Sequence, residues 1–155
     1  MYMLLKSKRK KRRFHPTIET VGFPASRHKD GLNFSCTQCG KCCSGFPGYV
    51  WLDDEEIENI SDLLKISKED FLKKYTRSIN GRISLKENLP NYDCIFFKEK
   101  KCTIYEKRPK QCKSYPFWKE NLRSKKSWDD VKKDCEGIND PSNKFTLEEI
   151  EKKLF

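Results

Sequence analysis

Cys36-Thr37-Gln38-Cys39-Gly40-Lys41-Cys42-Cys43 places four thiols within eight consecutive residues of a chain that contains eight cysteines in all. Two sulfurs separated by two residues can grip one metal ion, because the short intervening loop turns both to the same side. That spacing occurs twice in succession, as Cys36/Cys39 and Cys39/Cys42, and Cys43 follows directly. C-x2-C-x2-C also opens the bacterial-type iron–sulfur run, which continues with three residues and then Cys-Pro. Here Cys43 comes next, so the match is partial. Adjacent side chains are expected to point apart, so one of Cys42 and Cys43 should serve a first site while the other reaches elsewhere.

The rest of the chain has little else to fold around. Of its 155 residues, 35% are hydrophobic and 36% charged, so the apolar core must be small for the length. Metal ligation would compensate: a structural zinc contributes about 10–16 kcal/mol in small peptides, comparable with the roughly 5–15 kcal/mol stability of a whole domain. Eight cysteines could instead form four disulfides. However, Met1-Tyr2-Met3-Leu4-Leu5 is too short an apolar run for a signal peptide, and no stretch approaches the length of a transmembrane segment. The expected location is cytoplasmic, where thiols stay reduced.

The net charge of +10 is uneven. Lys6, Lys8, Arg9, Lys10, Lys11, Arg12 and Arg13 carry seven positive charges, and without them the net charge is about +3. The arm Lys6–Arg13 is either a solvated, disordered terminus or an electrostatic handle for nucleic acid or an anionic membrane face. His15 and His28 stand in polar surroundings without a Cys-His spacing, and both are expected on the surface.

Downstream, the pattern predicts short elements. Residues 1–30 read as the basic arm and an extended lead-in, 31–140 as the cysteine-cluster domain, and 141–155 as a C-terminal helix. Ser44-Gly45-Phe46-Pro47-Gly48 is turn-rich, and Tyr49-Val50-Trp51 reads as extended. Asp53 with Glu56 forms a capping box, stapled by Leu52 and Ile57, opening a helix with Ile57, Ile60 and Leu64 on one face. Ser67, Asp70, Ile66 and Phe71 repeat the arrangement. Asn80-Gly81 is a tight turn before the alternating Arg82-Ile83-Ser84-Leu85. Cys94-Ile95-Phe96-Phe97 and Cys102-Thr103-Ile104-Tyr105 read as a β-hairpin. Its register is open: a four-residue loop would put Cys94 and Cys102 on opposite faces, and a three- or five-residue loop would put them together. Pro109 suits a helix start, near which the dipole should favour a Cys112 thiolate. Pro116 should stop that helix, and Phe117-Trp118 could shield a site from water. Residues 119–127 read as a polar loop, followed by a helix from near Ser127 that carries Cys135 to a stop at Gly137. Thr146, Glu149, Phe145 and Ile150 cap and staple a last helix. The fold class is therefore α+β: a small, metal-stapled, cysteine-rich domain with short helices and a β-hairpin.

The ordered set Cys36-x2-Cys39-Gly40-Lys41-Cys42-Cys43, Asp93-Cys94, Cys102-x-Ile104-Tyr105, Arg108-Pro109-x2-Cys112-x2-Tyr115-Pro116-Phe117 and Cys135 resembles the YkgJ-type cysteine-cluster proteins. These are described as zinc- or iron-chelating domains, and the domain type also resembles the cysteine-rich part of flagellin lysine methylases. The resemblance spans residues 32–138. It implies metal or iron–sulfur binding, often under an oxidoreductase label. All eight thiols (Cys36, Cys39, Cys42, Cys43, Cys94, Cys102, Cys112 and Cys135) are candidate ligands for an iron–sulfur cluster or Zn²⁺. The expected division is Cys36, Cys39, Cys42 and Cys112 at one site, with Cys43, Cys94, Cys102 and Cys135 at the other. Four thiolates around Zn²⁺ leave a charge of −2, which Lys41, Arg108 and Lys113 could offset. An ordinary surface ion pair is the alternative for Arg108. The leading expectation is a cytoplasmic metal protein that holds an iron–sulfur cluster, with or without a structural zinc, and acts in electron transfer to a redox or other protein partner or as an accessory domain. The rival is a structural zinc module presenting its arm to nucleic acid. There is no Gly-rich nucleotide fingerprint, no His-based constellation and no nucleophile–base pair to specify an enzyme.

Overall fold

Residues 28–154 are described in the computed structural model. The arm Lys6–Arg13 and His15 lie outside them. The elements run β1 (Leu32–Asn33), a 3-10 turn (Lys41–Cys43), β2 (Trp51–Leu52), α1 (Asp54–Leu64), α2 (Lys68–Tyr75), β3 (Thr76–Ile79) and β4 (Arg82–Leu85). They continue with β5 (Glu87–Asn88), β6 (Asp93–Cys94), β7 (Phe97–Lys98), β8 (Lys101–Cys102), α3 (Lys110–Ser114), α4 (Lys119–Leu122), α5 (Lys125–Val131), β9 (Lys144–Phe145) and α6 (Leu147–Lys152). Short helices and small antiparallel sheets make this the expected α+β arrangement.

Capping decides where the longer helices begin. The Asp53 side chain accepts from the Glu56 N–H while Glu56 accepts from the Asp53 N–H, at 2.8 Å each. Thr146 and Glu149 repeat this reciprocal pair at α6. Ser67 caps α2 by accepting from the Asp70 N–H. These are the boundaries the sequence predicts. α5 differs: Ser124, not Ser127, is its cap, so the helix opens earlier and ends at Val131. Cys135 lies beyond it in a turn, its N–H bonded to the Val131 carbonyl at 2.8 Å. The stretch 119–127 is not a loop throughout, because α4 forms there and buries Asn121 and Leu122.

The apolar interior divides in two. Ile57, Ile60, Phe71, Leu85, Phe96 and Ile104 form one core beneath the sheet of order β2-β4-β3. Phe34, Phe117, Leu122, Trp128, Val131, Ile138 and Ile150 form the other. The C-terminal helix thus packs against the same core as α4 and α5. Phe117 fills this second core, against which Cys135 packs, and stands edge-on to Phe34 with ring centroids 5.8 Å apart. His28, expected at the surface, is 5% exposed and its Nε2 lies 2.9 Å from the Leu122 carbonyl oxygen. Cys94 and Cys102 border the first core and Cys135 the second.

Candidate metal centre

Three local structures carry seven of the eight sulfurs, and α3 carries Cys112. The first is the loop from Cys36 to Cys43. Gln38 and Gly40 adopt positive φ (56° and 74°), which reverses the chain between Cys36 and the 3-10 turn holding Cys42 and Cys43. Gly40 is required here for two reasons. Its backbone is left-handed, and a Cβ would be driven into the ring of Phe97. The second structure is the β7–β8 hairpin, whose register pairs Phe97 with Cys102 and Lys98 with Lys101. Its loop is only Glu99-Lys100, both at positive φ as a type I′ turn demands. None of the loop lengths considered from the sequence is the one found. Cys94 belongs to a separate ladder, opposite Glu87, and the turn at Ile95-Phe96 folds it back toward Cys102.

The third structure is the segment after α5. It is stitched to the start of the chain: Phe34 bridges Ile138, the Ser35 N–H donates to the Gly137 carbonyl at 3.1 Å, and the Asn139 N–H to the Asn33 carbonyl at 2.9 Å. A Cβ on Gly137 would be forced into the Ser35 carbonyl oxygen, so glycine lets the two strands close. Cys135 is thereby set beside the Cys36 loop.

Electrostatic neighbourhood shows which sulfurs meet. Cys135 is pushed up by burial and by the charges of Cys39, Cys42 and Cys36. Cys112 is pushed up by burial and by Cys94, Cys42 and Cys102, and Cys94 to about 11 by burial, with Cys102 adding to it. Cys102 is also raised by burial, with Arg108 opposing. The proximity of Cys112 to a helix start does not produce the expected thiolate. α3 has five residues, and burial outweighs its dipole. Cys112 thus has Cys94 and Cys102 among its neighbours and Cys135 has Cys39 and Cys36, with Cys42 near both sets.

Cys42 and Cys43 do not point apart. Their sulfurs are 3.9 Å from each other. A hydrogen bond from Cys43 lowers Cys42 to about 7, and the same bond, with burial, raises Cys43. Arg108 stacks over Tyr105 at 3.9 Å, and its charge reaches Cys42, Cys102 and Cys112. No carboxylate pairs with it among the described residues, which favours charge compensation over a surface ion pair. Lys41, by contrast, is engaged with Glu136 at 3.4 Å; Lys113 and Arg108 both line a groove with Glu55, Glu56 and Glu106.

The donor set fits a soft or borderline metal. All eight cysteines are free thiols, a cation accompanies them, and they come from four separate segments. Among the described residues no three donors already stand at the spacing of a closed site, so closure needs side-chain movement. Glu136, Thr37, Phe97 and Gln111 were not singled out from the sequence. Gln111 closes the edge of β2, accepting from the Trp51 N–H at 3.0 Å and donating to the Tyr49 carbonyl at 2.9 Å. None of these four contacts has a local sequence signal.

Comparison with known proteins agrees with the geometry. The CxxCxxCC family, described as "Putative zinc- or iron-chelating domain", matches residues 35–136. An uncharacterized protein of Methanocaldococcus jannaschii is 36% identical over 91 residues, covering 57% of this chain and 47% of that protein. The chain thus spans about half the length of the curated relative it matches. No solved structure matches. Its eight ordered thiols and the matched span together place this chain in the CxxCxxCC family of zinc- or iron-chelating domains.

Proposed function

We propose that the domain holds two four-thiolate centres with different duties. Cys36, Cys39, Cys42 and Cys135 form an outer centre that carries an iron–sulfur cluster. Cys43, Cys94, Cys102 and Cys112 form an inner centre that carries a structural zinc. The supporting observation is unequal shelter: Cys36 and Cys42 are exposed, whereas all four inner thiols are half-buried. A structural ion is enclosed by its ligands, while a centre that exchanges electrons must lie near the surface. The 3.9 Å between Cys42 and Cys43 would set the nearest metal atoms of the two centres no more than about 8.5 Å apart. When bound, the cluster supplies one-electron chemistry. The chain's own residues pack Cys94 and Cys102 against the first core, offset the inner sulfurs' charge with Arg108, and leave the Cys36–Cys42 edge open to a redox partner.

Purification without oxygen, followed by iron, sulfide and zinc analysis, tests this reading. Iron and sulfide together with one zinc per chain are expected, with broad absorption near about 400 nm. A colourless protein holding zinc at both centres would overturn the cluster. If that protein also bound RNA in a salt-dependent manner, the zinc-module reading would take its place.

A further inference from the structure

We propose that Glu136 is the positioning residue of the outer centre: one carboxylate ties both ends of the Cys36–Cys42 loop to the segment that carries Cys135. This rests on the division into outer and inner centres proposed above. Thr37, just after the first thiol, donates its Oγ1–H to Glu136 Oε1 at 2.8 Å. Lys41, just before Cys42, donates from Nζ to Oε2 at 3.4 Å. The residues joined are 99 and 95 positions apart in sequence, so neither contact follows from local folding. Glu136 itself is fixed by its neighbours, since Cys135 is bonded back to Val131 and Gly137 is stitched to Ser35. The carboxylate therefore determines how the three loop sulfurs face the fourth.

The sign of its effect separates this role from a bland one. A side chain about 50% exposed, in a solvent-screened ion pair, adds little to folding stability. It also places a negative charge beside a centre that is itself anionic once ligated. If Glu136 were only a surface charge, its removal should leave metal affinity unchanged or raise it. If it positions the ligands, removal must lower affinity despite the more favourable charge. Partners that orient ligands typically change metal affinity by about 10–100-fold.

The test uses the full chain, stripped and reduced, titrated with Zn²⁺ against a chromophoric chelator. The unaltered protein should take up two equivalents; uptake of one would refute the two-centre division but leave the Glu136 comparison readable on that equivalent. Glu136→Ala should weaken one equivalent about 10–100-fold and leave the other unchanged. Glu136→Gln, whose amide oxygen can still accept from Thr37, should recover part of the loss. Equal or tighter binding by Glu136→Ala overturns the proposal. So does equal weakening of both equivalents, which would mark a general folding role.

Discussion

Replacing Gly40 by alanine should dislodge the cysteine loop from the hairpin against which it rests. Gly40 has a φ of +74°, and the new methyl group would be forced into the Phe97 ring. The left-handed backbone alone costs a non-glycine residue about 1–2 kcal/mol. Overpacking against a half-buried aromatic ring adds about 1–3 kcal/mol, so the expected destabilisation is about 2–5 kcal/mol. Phe97 is paired with Cys102, so its displacement should also reduce metal content at the inner centre. Equilibrium urea unfolding of the metal-loaded protein measures the loss, and a double-mutant cycle assigns it. In Gly40→Ala/Phe97→Ala the ring is absent and only the backbone cost should remain. The double variant should therefore fall short of additivity by about 1–3 kcal/mol. An additive cycle, or a Gly40→Ala variant within about 0.5 kcal/mol of the unaltered chain, would refute this account of the contact.

Phe71 is fully buried in the first core, and Phe71→Ala should cost about 3–5 kcal/mol in thermal or urea unfolding. A loss below about 1 kcal/mol would mean that this core is not what supports α1 and α2. Cys39→Ser should lose metal and cooperative melting together, and full retention of both would remove Cys39 from the ligand set. Metal uptake should strengthen as pH rises. Cys43, Cys94, Cys102, Cys112 and Cys135 are all shifted upward, hold their protons at neutral pH, and must release them to bind. A chelator competition that gives the same affinity from about pH 6 to about pH 8 would contradict this.

The legible parts of this fold were those whose causes are local. The boxes at Asp53/Glu56 and Thr146/Glu149 and the Asn80-Gly81 turn depend on residues a few positions apart, and all appear as read. The hairpin at Glu99-Lys100 was not legible, because it asks two non-glycine residues for positive φ and displays none of the usual turn residues. α4 escaped because four residues leave no periodicity to detect, and Leu122 is its one buried apolar side chain. The burial of His28 and the pairing of Leu32 with Phe145 depend on chain ends brought together by the second core. The thiols were recognisable as a set from their spacing. Their grouping was not, because it depends on how the α5–β9 segment folds back beside residues 33–35. The same distance in sequence hid Glu136.

The proposed metal centres make a direct demand on stability. Thermal unfolding of the fully reduced chain, with and without chelator stripping, measures it. The loaded protein should unfold cooperatively, and the stripped protein should lose that transition and recover it when metal is returned. A stripped, reduced sample that melts at the same temperature and as sharply as the loaded one would contradict the account.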